Sequence, residues 1–253
     1  MKKNLISIII PYHRKKKYFQ QTIKSIKNQS YRKFELIVIY DDESKKDLGF
    51  VKKVIKKIKQ KKLIINKINI GAGGSRNIGI KYSKGEYIAF CDADDLWNNK
   101  KLEQQLKFMK QNKINFSHSS YNIIDKKGKK ISDFLIKKKI IYSDLLKSCD
   151  IGLSTVMCSK KILKKEKFLN TKTKEDYYLW LNLIKKIKII CGIEKKLTSW
   201  RRLDDSLSSP IFRRIVDAFQ IYSKHTQDKF LLSIFYTLRL SFYALIKKIR
   251  IYN

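Results

Sequence analysis

The sequence predicts an α/β fold, a mostly parallel sheet flanked by helices with a C-terminal helical appendage, on three observations. Largely apolar, β-branched runs such as Leu5 to Ile10 and Phe34 to Tyr40 are the pattern of strands covered on both faces. Helical patterns alternate with such runs in a β-α-β-α-β-α-β order, which a parallel sheet with helices on both sides satisfies. The apolar stretch Tyr87 to Cys91 then runs directly into Asp92-Ala93-Asp94-Asp95. The carboxyl ends of parallel strands are where open sheets of this kind bind ligands.

Taken in order, Leu5 to Ile10 opens the sheet, and Phe19, Ile23 and Ile26 recur at helical spacing before the Phe34 to Tyr40 strand. Phe50, Val51, Val54, Ile55 and Ile58 mark a second helix with lysines on its outer face, followed by a short strand at Leu63 to Ile65. Gly71 to Gly74 opens a third helix that runs to Tyr82, ahead of the Tyr87 strand. Leu102, Leu106 and Met109 give one more amphipathic helix. Residues 115 to 135 read as a hairpin turning at Asp125-Lys126-Lys127-Gly128, Ser154 to Cys158 as a strand, and Tyr177 to Ile187 as a helix with Leu179, Leu183 and Ile184 inward.

Pro210 is the predicted boundary between a main domain, residues 1–210, and a tail, residues 211–253. The tail holds a basic amphipathic stretch, Ile211 to Tyr222, and a 17-residue apolar one, Phe230 to Ile246, with Arg239 near its middle and Lys247-Lys248-Ile249-Arg250 after it. A spanning helix needs about 20 apolar residues without a central charge. The tail is therefore expected either to lie in the interface of an anionic membrane or to pack on the domain as a helical pair.

The chain carries 58 basic and 22 acidic residues, a formal charge of +36. Lysines spread along the whole chain account for most of it, which argues against a nucleic-acid-binding face and leaves acidic lipid as the partner that charge favours. Cys91, Cys149, Cys158 and Cys191 lack Cys-x-x-Cys spacing, and His13, His118 and His225 are far apart, so neither zinc nor a disulfide framework is indicated. The thiols read as reduced and cytoplasmic. The six-residue apolar run after Met1-Lys2-Lys3 ends at Pro11 with no cleavage signal, so it reads as a strand and not as an export signal.

Three carboxylates at Asp92, Asp94 and Asp95 repel one another unless a cation or a strongly basic group neutralises them, and oxygen-only ligands suit magnesium or manganese. Alone, such a triplet reads first as a solvated acidic turn, with Asp95 capping the next helix. With it, four separated segments form an ordered set: Ser7-Ile8-Ile9-Ile10-Pro11-Tyr12; Gln29-Ser30-Tyr31 with Phe34 to Ser44; Asn69-Ile70-Gly71 through Ser75-Arg76-Asn77-Ile78-Gly79; and the Asp92 to Asp95 strand end itself. With Lys174-Glu175-Asp176-Tyr177-Tyr178-Leu179-Trp180-Leu181, and Trp200-Arg201 followed by Ser206 and Ser208, this set resembles the family 2 glycosyltransferases of the GT-A (Rossmann-like) fold. The resemblance covers roughly residues 5 to 210.

That resemblance implies a metal-dependent, inverting sugar transfer from a nucleoside-diphosphate donor, UDP first among the candidates, with residues 1–95 as the nucleotide-binding half and 96–210 as the acceptor half. It assigns Asp92 to the ribose and the metal, and Asp94 to the metal, Mn2+ or Mg2+, on the diphosphate. It assigns Asp41 and Asp42 to the donor base, with Asp42 the better match for a uracil imide, Pro11 and Tyr12 to base stacking, and Arg76 to the nucleotide. Asp176 matches the family's general base with Glu175 beside it, and Arg201 and Arg202 are candidates for gripping the diphosphate or the acceptor's lipid phosphate. Each has a plainer reading: helix caps for Asp41, Asp42, Glu175 and Asp176, a surface ion pair for Arg76, and solvated arginines. The implied acceptor is a growing surface glycan or a polyprenyl-linked oligosaccharide at the inner face of the cell membrane. Glu43 stands where Gly is common, Tyr12-His13 replaces Thr-Tyr, and Leu203 stands where His is frequent. The alternative from another class is a catalytically silent nucleotide-binding or membrane-docking module of the same fold.

Overall fold

The computed structural model describes residues 1–203 and 211–252. Pro210, Ser206 and Ser208 lie outside the described residues. The first half alternates as expected: β1 (Lys2–Tyr12), α1 (Lys16–Lys27), β2 (Phe34–Tyr40), α2 (Leu48–Ile55), β3 (Lys61–Ile65), α3 (Gly71–Tyr82) and β4 (Gly85–Phe90). These four strands pair in parallel in the order β3-β2-β1-β4. Ile8 lies opposite Leu36 on one side and Ala89 on the other, so each apolar run is buried among its like.

The second half comprises β5 (Leu96–Trp97), α4 (Lys101–Gln111), β6 (Phe116–Ile124), β7 (Lys130–Phe134), β8 (Lys139–Ile141), α5 (Tyr142–Lys147), β9 (Met157–Ser159), α6 (Glu175–Ile187) and β10 (Ile189–Arg201). It extends the sheet to β3-β2-β1-β4-β9-β6-β10-β5, with β7 on β6 and β8 on β10. β9 runs antiparallel between β4 and β6, and β10 runs parallel to β6, so this half is mixed where the first is parallel. The β6–β7 hairpin turns at Asp125 to Gly128 as expected, with Gly128 at φ +91° in the left-handed region.

Two expectations need correction. Ser154 to Cys158 is not one strand: Leu153–Thr155 forms a 3₁₀ turn, and only Met157–Ser159 pairs. The 13-residue β10 has no counterpart in the sequence reading, because Glu194, Lys195 and Lys196 interrupt its apolar alternation.

Because strand side chains alternate, the sheet builds a core on each face. One gathers Ile8, Ile10, Tyr12, Leu36, Val38 and Tyr40 with Phe19, Ile23 and Ile26 of α1 and Leu102 and Leu106 of α4. The other gathers Ile9, Ile37, Ile39, Ile88 and Phe90 with Tyr177, Trp180 and Leu181 of α6. Ala218, Ile221 and Tyr222 of α7 (Ile211–His225) join this second core. The final helix, α8 (Phe230–Tyr252), packs on α7 and α5. Among the described residues no helix is long and apolar enough to cross a membrane.

Candidate active site

The C-terminal ends of β1, β2 and β4 and the start of α3 enclose a first cleft of about 360 Å³, lined by Pro11, His13, Lys15, Asp41, Asn69, Gly71, Ala72, Arg76, Asp92, Ala93 and Asp94. Beside it a second cleft of about 400 Å³ is lined by residues that include Asp92, Asp95, Tyr121, Ser154, Asp176, Thr198 and Trp200. Asp92 borders both. Each volume suits a small-molecule site.

Arg76 lies at the centre and is almost wholly buried. Its Nη2 donates to Asp92 Oδ1 at 2.7 Å, its Nη1 donates to Glu175 Oε1, and its guanidinium lies 5.5 Å over the Phe168 ring. Burial disfavours its charge, but Asp92 and Glu175 outweigh burial and raise its pKa. The resemblance pointed this arginine at the nucleotide; the structure gives two of its donors to carboxylates just after β4 and at the start of α6. α3 can start here because Gly71 adopts φ +78°, and because a Cβ on Gly73 would come within 2.3 Å of the Leu169 carbonyl oxygen.

Asp92 receives a further constraint from the 3₁₀ turn, its backbone N–H donating to Ser154 Oγ at 2.9 Å. Asp94 is paired with Lys15 at 2.9 Å. Burial and then the charge of Asp92 raise the Asp94 carboxyl above the usual range, against the pull of Lys15. Asp95 is buried completely, with Oδ1 accepting from the Arg201 backbone N–H at 2.9 Å. Burial, Asp94 and Asp92 push it well up. This crowding of carboxylates is what a bound cation relieves, so Asp92 and Asp94 fit a hard divalent ion as oxygen ligands. No cluster of three or more potential ligands occurs among the described residues, so an ion held there needs further oxygens from phosphate or water.

Glu175 and Asp176 occupy the first turn of α6, where acidic groups favour the helix dipole. Glu175 is spent on Arg76, whereas Asp176 lines the second cleft half-buried. Burial and neighbouring Glu175 push the Asp176 carboxyl up to about 7, opposed by Arg76. A carboxylate of that basicity takes up a proton near neutral pH.

Four assignments expected from the sequence change. Tyr12 does not face the cleft: strand alternation turns Pro11 and His13 toward it, while the Tyr12 ring is buried against Tyr40 and Phe19 and its hydroxyl donates to Asp47 Oδ2 at 2.7 Å. Of the aspartate pair only Asp41 lines the cleft, where its Oδ1 accepts from Asn66 Nδ2 at 2.8 Å and from the Ile70 N–H at 3.0 Å. Asp42 is turned to Ser44 and Arg14; against the upward push of burial, these two hold its carboxyl below the usual range. Arg201 is no anion grip: Nε donates to the Asp94 carbonyl at 2.9 Å, Nη1 to the Asp125 and Lys126 carbonyls, and Nη2 to Gln21 Oε1 at 2.8 Å. Arg202 lines neither cleft, and its backbone N–H donates to the Ile124 carbonyl at 2.8 Å.

The sequence assigned no site role to His13, Lys15 and Asn69, which line the first cleft, or to Tyr121, Ser154, Thr198 and Trp200, which line the second, although Asn69 and Trp200 stand in its motifs. His13 Nδ1 lies 2.8 Å from the Asp41 carbonyl and 3.0 Å from Asn69 Nδ2. Glu43, at the position where Gly is common, accepts from the Asn69 N–H at 2.9 Å and so holds the loop that carries Asn69.

The family model for glycosyl transferase family 2 matches residues 7–170. An uncharacterised glycosyltransferase of Haemophilus influenzae is 35% identical over 96% of this chain and 97% of its own. The Escherichia coli UDP-Glc:alpha-D-GlcNAc-diphosphoundecaprenol beta-1,3-glucosyltransferase WfgD is 34% identical over 92% of this chain and 91% of its own. Among solved structures, S. aureus TarS in complex with UDP-GlcNAc superposes with a TM-score of 0.67 at 19% identity, over 85% of this chain and 65% of that one. The mannosyltransferase PcManGT from Pyrobaculum calidifontis, in complex with GDP-Man and Mn2+, does so with 0.66 at 12% identity, over 92% and 68%. The structures share the fold, the GT-A arrangement expected from the sequence, and on the family match and the close relatives together this chain belongs to glycosyl transferase family 2.

Proposed function

We propose that the protein transfers a sugar, with inversion, from a nucleoside-diphosphate donor to a hydroxyl of a lipid-linked surface glycan. The observation that carries this reading is the shared wall: Asp92 borders both clefts, and Asp176 lies in the second. The first cleft takes the donor. Asp41 and Asn69 stand at its base-binding end, and the opening turn of α3, with Gly71 and Ala72, offers backbone N–H groups to a diphosphate. UDP is the preferred nucleotide, in keeping with the names of the Escherichia coli and S. aureus relatives.

In the second cleft the acceptor hydroxyl approaches the anomeric carbon from the side opposite the diphosphate. Asp176 takes the hydroxyl proton as the new C–O bond forms and the C–O bond to the diphosphate breaks. Glu175 does not share that work, because Arg76 engages it. Arg76 holds Asp92 and Glu175 in fixed relation, so the donor wall and the base move as one unit. Asp92 and Asp94 would hold a divalent cation, Mn2+ or Mg2+, which would supply positive charge to the leaving diphosphate.

The test is nucleotide release from UDP-, GDP- and dTDP-sugars in the presence of a GlcNAc-diphosphate-lipid acceptor, with manganese and with EDTA. One donor is expected to give turnover that EDTA abolishes and that Asp94→Ala reduces at least about 100-fold, as loss of a metal-held charge does. Binding of UDP and manganese without turnover on any sugar or acceptor would favour the silent module instead.

A further inference from the structure

The outward face of α8 is apolar where a surface helix is usually polar. Leu231, Phe235, Leu238, Phe242 and Leu245 follow one another at intervals of four and three, which places them in a single stripe roughly 21 Å long at 1.5 Å per residue. They are 81%, 55%, 65%, 60% and 63% exposed. The hydroxyls face inward: Ser233 and Thr237 are buried, Ser233 Oγ meets Thr226 Oγ1 at 2.8 Å, and the Tyr236 ring lies 5.3 Å from that of Tyr222. The helix is therefore fastened through Ser233, Thr237, Tyr236 and Leu240 and turns this stripe outward.

Charge says what covers it. Residues 211–253 hold eight basic and two acidic residues, and no acidic residue follows Asp228. Of the two, Asp217 is buried, accepting from the Thr173 hydroxyl and N–H. We propose that the α8 stripe docks in the plane of an anionic lipid bilayer, with its leucines and phenylalanines at the headgroup boundary and the flanking lysines and arginines on lipid phosphates. A second copy is the poorer occupant: a helical seam between copies needs acidic partners for its flanking cations, none occurs after Asp228, and two chains of charge +36 repel. Docking also fixes the catalytic end of the molecule relative to the lipid, because Tyr222 of α7 is hydrogen-bonded at 2.7 Å to Tyr177, the neighbour of Asp176. The proposal stands apart from the proposed reaction, since lipid binding needs no turnover.

Co-flotation of the full chain with vesicles of phosphatidylcholine, alone or mixed with phosphatidylglycerol, tests it, with mass measured in parallel by light scattering. Wild type is expected as a monomer that floats with the anionic vesicles, at least tenfold less so after Phe235→Glu/Phe242→Glu, after Lys247→Gln/Lys248→Gln, or in high salt. If the double glutamate variant loses helical circular dichroism, Leu238→Ser alone carries the same expectation. Three results overturn the proposal: no flotation of wild type, flotation unchanged by the stripe substitutions, or a wild-type dimer that those substitutions dissociate.

Discussion

At Arg76 two carboxylates from distant parts of the chain, Asp92 and Glu175, meet on one buried guanidinium, and lysine cannot reproduce that fork. Arg76→Lys is accordingly expected to lower stability by about 3 kcal/mol, the scale of a broken buried pair, and to weaken donor-nucleotide binding at the same time. Chemical denaturation and UDP titration measure the two, and a variant with both unchanged would remove the clamp from the account. Arg201 should behave differently. Its donors reach three carbonyls and Gln21, so Arg201→Lys is expected to cost about 2–4 kcal/mol of stability while leaving the acceptor KM of the folded fraction near wild type. A large rise in KM with no loss of stability would restore Arg201 as a phosphate grip. The contrast explains what was legible in the sequence. Asp92, Asp94, Asp176 and Arg76 sit in local motifs whose spacing survives as geometry. Tyr12 was misplaced by one step of strand alternation, and the role of Arg201 depends on partners 75 to 180 residues away, which no local pattern announces.

Helix α3 shows the same division one level up. Its Gly-rich start was plain in the sequence, but the reason for Gly73 is the Leu169 carbonyl oxygen from the segment leading into α6. Gly73→Ala pushes those two elements apart at the point where Arg76 joins Glu175. The expected result is a Tm lowered by several degrees, about 1–3 kcal/mol of overpacking, with a parallel loss of donor affinity. Thermal unfolding checks it, and an alanine variant as stable as wild type would mean that the loop before α6 yields freely. β1, β2 and β4 were legible because burial on both faces leaves largely apolar runs. β10 was not, because its partly exposed middle carries Glu194, Lys195 and Lys196, and β9 was blurred by the 3₁₀ turn that precedes it.

Across the whole molecule, the parallel half supplies the first cleft, and the mixed half supplies Asp176 and most of the second, so neither half holds both clefts alone. That assembly leaves Asp176 in surroundings that disfavour its charge, raising its pKa from 3.8 to about 7. The folded state then binds more protons than the unfolded one between these values, so the contribution of Asp176 to stability is full below about pH 4 and is lost as pH rises to about 7. Asp176→Asn should therefore gain stability relative to wild type across that window, by about 2–4 kcal/mol at pH 8. Denaturation of both proteins at two pH values measures the gain, and an equal gap at both would contradict the raised basicity. The most direct test of the central claim, that Asp176 removes the acceptor proton, is the pH dependence of single-turnover sugar transfer by wild type and Asp176→Asn with donor saturating. The wild-type rate should rise tenfold per pH unit up to about 7 and then level off, and the variant should be slower by about 10²–10⁴-fold while still binding donor. A variant that transfers sugar at the wild-type rate, with the same pH profile, would contradict it.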